Sequence, residues 1–363
     1  MQQALRLHGL DLSYFTGKLE AYLRVKGIPF RFVAMDTAGF RRAARATGYA
    51  QMPALEWPGG RWMTDTTAII AWFEANADGP RLHSPDPAAR FLARLLEDMF
   101  DEWLWRPALY YRWAFDDDAR LISSRIARTM LRDVPLPFWL RRQYILRRQR
   151  RVYLRGDGVT AANAGAIAQL YHDVLAMLEP IVRARPFLFG ARPCEADFGL
   201  FGSMFRHFAS DPTPAAIMRA EAPAVSAWVA RLWALTPGDV AAAPDLGRLP
   251  ADLAPLFAMA AGEYLPYLAA NARALAGGER TVTYADRGAM FTVPVSPYRA
   301  GCLAALATDC AGLDGKAGAE ATEALGPDVV GMLVAAARSV PATPSAAALR
   351  DRHGIPLSGW LRA

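Results

Sequence analysis

The chain has 363 residues, of which 53% are hydrophobic and 21% are charged. These values are typical of a globular protein large enough for two compact units, and they argue against an intrinsically disordered chain. The formal net charge of +6 is modest for this length and gives no argument for nucleic-acid binding.

The first 76 residues predict a β-α-β unit, an irregular stretch and then a β-β-α unit. Residues 5–8 are the first predicted strand, and the segment from Ser13 to Lys18 leads into a helix. Gly27-Ile28-Pro29 ends that helix, and residues 30–33 are the second predicted strand.

The segment Gln51-Met52-Pro53-Ala54-Leu55 is the most informative part of the sequence. A short strand, the turn Gly59-Gly60, another strand and the helix start Thr64-Asp65-Thr66 follow it. Because an X-Pro bond adopts the cis form at a cost of only about 0.5–1 kcal/mol, Met52-Pro53 can turn its backbone outward. A helix that begins near Thr66 presents unpaired N–H groups to a carboxylate. This order of features predicts a site for a small anionic peptide.

Residues 77–89 are rich in Pro, Gly and Asp and predict a linker. After it, apolar residues recur every three or four positions, which predicts an all-helical unit to about residue 245. Within residues 100–115, aromatic side chains surround Pro107, which we expect to kink the helix.

Residues 246–363 predict a mostly helical extension. A helix to about residue 275 precedes a hairpin of residues 281–284 and 290–293, and Ala-rich helices follow at about 298–312 and 328–338. Because Ala-rich helices bury little apolar area, we expect an appendage packed on the helical unit, with Trp360 docking the chain end.

Two sets of motifs resemble the glutathione transferase family. The first is residues 12–29 together with residues 51–55 and 64–69. The second, PFLFGARPCEAD, spans residues 186–197, where the family has a Ser or Thr that caps a buried helix three residues before an Asp. This chain has Cys194 at the cap, which weakens it because a thiol is a poor acceptor, although Asp197 can still bond back to the loop.

The resemblance covers about residues 1–240 and implies an α+β fold. It implies a thioredoxin-like, glutathione-binding domain over residues 1–80 and an all-helical substrate domain over residues 81–245. The mostly helical C-terminal extension, residues 246–363, lies beyond it.

In this family a Ser, Cys or Tyr near the start of the first helix hydrogen-bonds the glutathione sulfur. Ser13 stands at that place, and a hydroxyl that donates to a thiolate lowers the thiol pKa. Ser13 as a mere helix cap is the alternative. Tyr14 stands where the pattern often has Pro, so that both hydroxyls are candidate catalytic groups.

The family also implies an acidic residue and a Ser that bind the γ-glutamyl amine and carboxylate of glutathione. Asp65 and Thr66 match that pair, and an ordinary helix start with Thr66 as its cap is the alternative. The remaining candidates for binding glutathione are Gln51, Met52, Pro53 and Arg41. Arg41, with Arg42 and Arg45, suits the glycine carboxylate or else forms a solvated basic face.

By the same resemblance, the aromatic segment faces the cleft and forms a pocket for a flat, apolar electrophile. Its members are Trp103, Trp105, Tyr110 and Tyr111; core packing is the alternative.

Charged side chains flank this segment. Glu97, Asp98, Asp101 and Glu102 have no His at ligand spacing nearby, so we expect a solvated face and no metal site. Seven arginines between Arg141 and Arg155 predict a second solvated face, paired with those acids. A membrane-surface or nucleic-acid role of the arginines is the alternative.

The expected function is transfer of the glutathione thiolate to an apolar electrophile, with glutathione as co-substrate. Ether cleavage, dehalogenation or isomerisation on the same site, and a non-catalytic scaffold, are the alternatives. Three cysteines without a CxxC pair favour the cytoplasm over a disulfide framework. We expect no signal peptide and no membrane span. We also expect a role in detoxification and a homodimer.

Overall fold

The computed structural model describes residues 4–247 and 249–339. Its N-terminal elements are β1 (Leu5–Gly9), α1 (Tyr14–Lys26), β2 (Phe30–Ala34), α2 (Thr37–Thr47), β3 (Ala54–Glu56), β4 (Trp62–Thr64) and α3 (Thr66–Asn76). The sheet order is β2-β1-β3-β4, in which only the β1–β2 pair is parallel. This is the predicted thioredoxin-like arrangement.

The stretch that we expected to be irregular contains helix α2. Asp36 accepts a hydrogen bond from the Gly39 N–H at 2.8 Å and caps its start, and Gly48, at φ 77°, ends it. Ala43 and Thr47 are buried. The prediction failed because the apolar face of this short, arginine-rich helix is narrow.

The second part of the chain is all helical, as predicted. Its helices are α4 (Pro87–Trp103), α5 (Trp105–Ala114), α6 (Asp116–Thr129), α7 (Phe138–Gln149), α8 (Ala164–Ala184), α9 (Glu195–Ser203), α10 (Pro212–Glu221), α11 (Pro223–Ala234) and α12 (Pro237–Ala242). The expected break near Pro107 falls at Leu104, between α4 and α5.

Helix α9 lies at the centre of the packing. Asp197 accepts hydrogen bonds from the N–H groups of Leu188 and Cys194 at 2.9 and 3.0 Å, which confirms that it bonds back to the loop. A Cβ at Gly199 would lie 2.9 Å from the backbone of Glu97 in α4, and one at Gly202 would lie 2.9 Å from the Tyr14 ring. Helix α9 therefore approaches α4 and α1 more closely than larger residues allow.

The extension consists of α13 (Ala254–Met259), α14 (Leu265–Ala276), β5 (Thr281–Asp286), β6 (Ala289–Pro294), α15 (Pro297–Ala311), α16 (Gly315–Leu325) and α17 (Pro327–Ser339). The hairpin lies where the sequence predicts it, whereas α16 was not predicted. Tyr264 donates a hydrogen bond to Asp98 of α4 at 2.6 Å, and Trp103 packs on the rings of Tyr264 and Tyr267.

The division of the chain at residues 80 and 245 stays a prediction, and Trp360 lies outside the described residues. None of the described helices combines the length and the apolar character that crossing a membrane requires.

A buried ion cluster joins α1 to the helical part. The Lys18 side chain is fully buried, and its ammonium group donates to the carboxylates of Glu97 and Asp101 and, at 3.2 Å, to Thr67 Oγ1. Although burial lowers the pKa of Lys18, the charges of Asp101 and Glu97 raise it above its ordinary value, so the ammonium stays charged.

The prediction of a solvated acidic face is therefore wrong: three of its four members are buried, and the fourth, Glu102, is 13% exposed at its side chain and pairs with Arg299. Glu97, Asp98 and Asp101 are 2%, 6% and 5% exposed. The sequence pattern misleads because the neutralising Lys18 comes from a helix about 80 residues earlier, and Arg94 adds a second cation beside Glu97.

Lys18→Met should destabilise the protein by about 3–5 kcal/mol, because it leaves the buried Asp101 without its cation and Glu97 with Arg94 alone. Urea unfolding at neutral pH measures this loss. Arg120→Ala is the control: it removes an exposed ion pair with Asp117 and should leave the urea unfolding midpoint nearly unchanged. Equal midpoints for both variants would contradict the structural role of the cluster.

Glu74 fastens the linker to α1. Its carboxylate accepts hydrogen bonds from the Leu82 N–H at 3.0 Å and the Tyr22 hydroxyl at 2.8 Å, and it pairs with His83 and Lys26 at 3.0 Å. Burial raises the pKa of Glu74, but these hydrogen bonds outweigh burial and lower it to about 2.

Because the folded-state pKa of Glu74 lies below its ordinary value of 4.5, the stability that it contributes is present above pH 4.5 and lost as the pH falls towards 2. Glu74→Gln should lower the free energy of unfolding at pH 7 by on the order of 3 kcal/mol and flatten its decline between pH 4.5 and 2. Urea unfolding between pH 7 and 2 checks both effects. If the free energy of unfolding of Glu74→Gln runs parallel to that of the wild type across this range, the role of Glu74 is disproved.

Candidate functional site

A cleft of about 740 Å³ lies between the thioredoxin-like part, the helical part and the extension. Its first wall is the segment before and at the start of α1, including Leu12, Ser13 and Phe15. Its second wall carries Arg41, Gln51 and Met52. Trp105, Leu109, Trp113 and Tyr153 form the third, and Ser296, Tyr298 and Arg299 form the fourth.

Ser13 lines the cleft at the start of α1. Its Oγ accepts a hydrogen bond from the Thr16 N–H at 3.4 Å, so that it caps the helix. Among the described residues, the Ser13 hydroxyl donates no hydrogen bond. The cap role is therefore present, and the hydroxyl can also donate to a ligand in the cleft.

Tyr14 is 1% exposed, and its hydroxyl donates to the Phe100 carbonyl. Burial raises the pKa of Tyr14 well above its usual value, and the charge of Asp101 adds to this. The ring lies against Trp105 and His207. Tyr14 also lines the cleft, but its hydroxyl is bonded to the Phe100 carbonyl, so Ser13 is the better placed of the two candidate sulfur ligands.

Arg112 fixes the segment just before Ser13. Its guanidinium donates to the Leu12 carbonyl at 2.8 Å and to Asp211 at 2.7 Å. It also lies 2.9 Å from His207 Nε2, and burial followed by the Arg112 charge lowers the pKa of His207 well below its usual value. His207 is therefore neutral and accepts from Arg112. Nothing in the local sequence pattern marked either residue.

The Met52–Pro53 bond is cis, as the sequence allows. The Gln51 side chain donates to Thr64 Oγ1 at 3.1 Å, and Thr64 donates to the Pro53 carbonyl at 2.8 Å. These bonds tie the segment to β4, while Gln51 and Met52 line the cleft. Arg41 lies exposed at its rim and makes no ion pair within the described residues.

Asp65, rather than Thr66, caps α3. Its Oδ1 accepts hydrogen bonds from the N–H groups of Thr67 and Ala68 at 3.1 and 3.5 Å, with φ at 75°. Thr66 is 4% exposed. Neither Asp65 nor Thr66 lines the cleft, whereas Tyr298, whose hydroxyl donates to Asp65 Oδ2 at 3.2 Å, does.

Of the four aromatic residues predicted for the electrophile pocket, Trp105 lines the cleft. It stacks on Phe15 at 5.8 Å between ring centroids and meets Tyr153 edge-on. The other three do not line this cleft. Trp103 packs on the extension, and Tyr110 and Tyr111 pack on Phe115.

The arginine run belongs to α7, to the π-helical turn Arg150–Leu154 and to the 3-10 turn Arg155–Asp157, and most of it is solvated, as predicted. Its predicted pairing with the acidic residues is wrong. Arg150 pairs with Asp116 at 2.6 Å, and Arg141 donates to the Leu131 carbonyl. Among the described residues, no group of three or more His, Cys, Asp or Glu side chains forms a metal site.

Residues 7–81 match the family model for the glutathione S-transferase N-terminal domain. No curated protein is significantly similar to this chain in sequence.

Several solved structures are similar to this chain over about two thirds of its length. Beta-etherase LigF from Sphingobium sp. strain SYK-6 has 21% identity over 64% of this chain and 96% of its own, with a TM-score of 0.46. A glutathione S-transferase from Methylobacterium radiotolerans has 20% identity over 68% of this chain and 98% of its own, with a TM-score of 0.39. FzlA from C. crescentus has 19% identity over 69% of this chain and 97% of its own, with a TM-score of 0.42.

These identities and TM-scores carry no conclusion about activity. The family model covers the sheet, α1 and the segment from Gln51 to Thr66, which are the elements that carry Ser13 and Asp65. Residues 7–81 therefore match a glutathione S-transferase N-terminal domain, and the resemblance seen in the sequence is confirmed for this part of the chain.

Proposed function

We propose that this protein is a glutathione transferase that adds the glutathione thiolate to an apolar electrophile. The observation that carries the proposal is the Ser13 hydroxyl, which lies on the cleft at the start of α1 within the matched domain. Its oxygen accepts the Thr16 N–H, and its proton remains available to donate to a ligand in the cleft.

The residues around the cleft fit a bound glutathione. Arg41 at the rim suits the glycine carboxylate, and the backbone of Met52 suits the peptide part of the molecule. Asp65, which lies behind Tyr298, is the acidic group for the γ-glutamyl amine, and Thr66 beside it is the candidate for the γ-glutamyl carboxylate.

In the proposed reaction the thiol of glutathione loses its proton to solvent. The Ser13 O–H then donates to the sulfur anion and holds it towards the electrophile. The sulfur lone pair forms a C–S bond with the electrophilic carbon, and the bond to the leaving group breaks with its electron pair. The rings of Trp105 and Phe15, with Leu109 and Tyr153, offer an apolar surface for the electrophile.

The proposal includes a role in detoxification, a cytoplasmic location and a homodimer. All three cysteines are buried and free, which agrees with a reducing compartment. Ether cleavage, dehalogenation or isomerisation would use the same thiolate.

Ser13→Ala should lower the conjugation rate much more than the affinity for glutathione. Without the hydroxyl, the pKa of the bound thiol rises; a shift of one unit lowers the thiolate about tenfold at a pH well below the pKa. The pH–rate profile with an aryl halide, and the ultraviolet absorbance of the bound thiolate, measure this shift. Tyr14→Phe is the matched control and should leave the pKa of the bound thiol unchanged. If the pH–rate profile shifts in Tyr14→Phe and not in Ser13→Ala, Tyr14 and not Ser13 is the sulfur ligand.

Asp65→Asn should weaken glutathione binding by ~10-fold or more, because a charge-assisted hydrogen bond contributes on the order of 1.5–3 kcal/mol. Asn keeps the helix cap and tolerates a positive φ, so the fold should be unaffected. Calorimetric titration measures the dissociation constant. An unchanged constant would remove Asp65 from the site, and no binding to the wild type would favour the non-catalytic scaffold.

A further inference from the structure

The extension contacts the thioredoxin-like part through Tyr298. Tyr298, in the first turn of α15, donates its hydroxyl to Asp65 Oδ2 at 3.2 Å. The two residues are 233 positions apart in the sequence. The other carboxylate oxygen of Asp65 accepts the N–H groups of Thr67 and Ala68. Both oxygens of this carboxylate therefore have donors within the chain.

The position of Tyr298 is fixed from both sides. Before it, the fully buried Asn271 holds Ser296 by two backbone hydrogen bonds of 2.8 Å. After it, Arg299 donates to Glu102 and to the Tyr267 hydroxyl, both at 2.9 Å. Tyr298 is therefore a built part of the cleft wall rather than a loose surface side chain.

Tyr298 also separates Asp65 from the cleft. Tyr298, Ser296 and Arg299 line the cleft, but Asp65 does not. Burial raises the pKa of the Tyr298 hydroxyl well above its usual value, and the charge of Asp65 adds to this, so the hydroxyl stays protonated and remains a donor.

We propose that Tyr298 occupies the ammonium subsite of Asp65 and thereby determines how well this protein accepts ligands with a free α-amino group. The inference rests on the proposed function, since it concerns the same glutathione site. A ligand ammonium group has to compete with the Tyr298 hydroxyl for Asp65 Oδ2. A ligand that lacks the amine does not compete, and its binding does not depend on this hydroxyl.

The test compares glutathione with its des-amino analogue, glutaryl-cysteinyl-glycine, by calorimetric titration of the full chain. Tyr298→Phe should raise the affinity for glutathione roughly 3- to 10-fold, the effect of one hydrogen bond, and leave that of the analogue unchanged. Tyr284→Phe is the matched control. It removes another hydroxyl of the extension, the one that accepts a hydrogen bond from Arg106 at 2.7 Å, and should change neither affinity.

A second measurement places the effect on Asp65. In an Asp65→Asn background, Tyr298→Phe should no longer raise the affinity for glutathione, because the charged acceptor is gone. An equal gain in that background would overturn the inference.

The outcomes separate the inference from the proposed function. Wild-type binding of glutathione that Tyr298→Phe leaves unchanged or weakens overturns the inference alone. Glutathione binding that appears only in Tyr298→Phe supports it. No binding to any of the variants overturns both the inference and the proposed function.

Discussion

The contact of Lys18 with Glu97 and Asp101 is the interaction on which the rest of the structure depends. Lys18 lies five residues after Ser13, the residue that caps the same helix, which is about 7.5 Å along its axis. The buried carboxylates of α4 therefore fix the depth and rotation of α1 against the helical part. Because breaking a buried pair exposes its partner to an apolar interior, this arrangement tolerates little displacement. The position of Ser13 in the cleft follows from it.

The same helix start is held at a second point. Arg112 of α5 donates to the Leu12 carbonyl and is itself fixed by Asp211. The thioredoxin-like domain thus provides the hydroxyl, while the helical part fixes where that hydroxyl lies. The extension adds Tyr298 and Arg299, so that three separate stretches of the chain form one cleft.

Local signals in the sequence predicted the elements that depend on near neighbours. The thioredoxin-like order, the helix start near Thr66 and the hairpin of the extension all follow from turn residues and short-range patterns. The sequence did not predict helix α2, because the apolar face of this helix is narrow. It also did not predict that Trp103 and Trp105 have different roles, because the two residues stand on either side of the break at Leu104 and face different partners.

Contacts over long sequence distances could not be predicted in the same way. The acidic residues of α4 look like a solvated face until Lys18 is placed beside them. Nothing near Tyr298 in the sequence points to Asp65, since the contact depends on Asn271 and Arg299 holding the start of α15. Such contacts are set by the packing of whole elements, and a short pattern contains no information about them.

The two glycines of α9 offer a criterion for recognising relatives of this chain. Gly199 lies against the backbone of α4, and Gly202 lies against the Tyr14 ring. A sequence with a larger residue at either place has to shift α9 away from α1 or α4, and Ser13 moves with α1. Retention of both glycines in another sequence would therefore indicate that it keeps this spacing of its domains, even where the cleft residues themselves have changed.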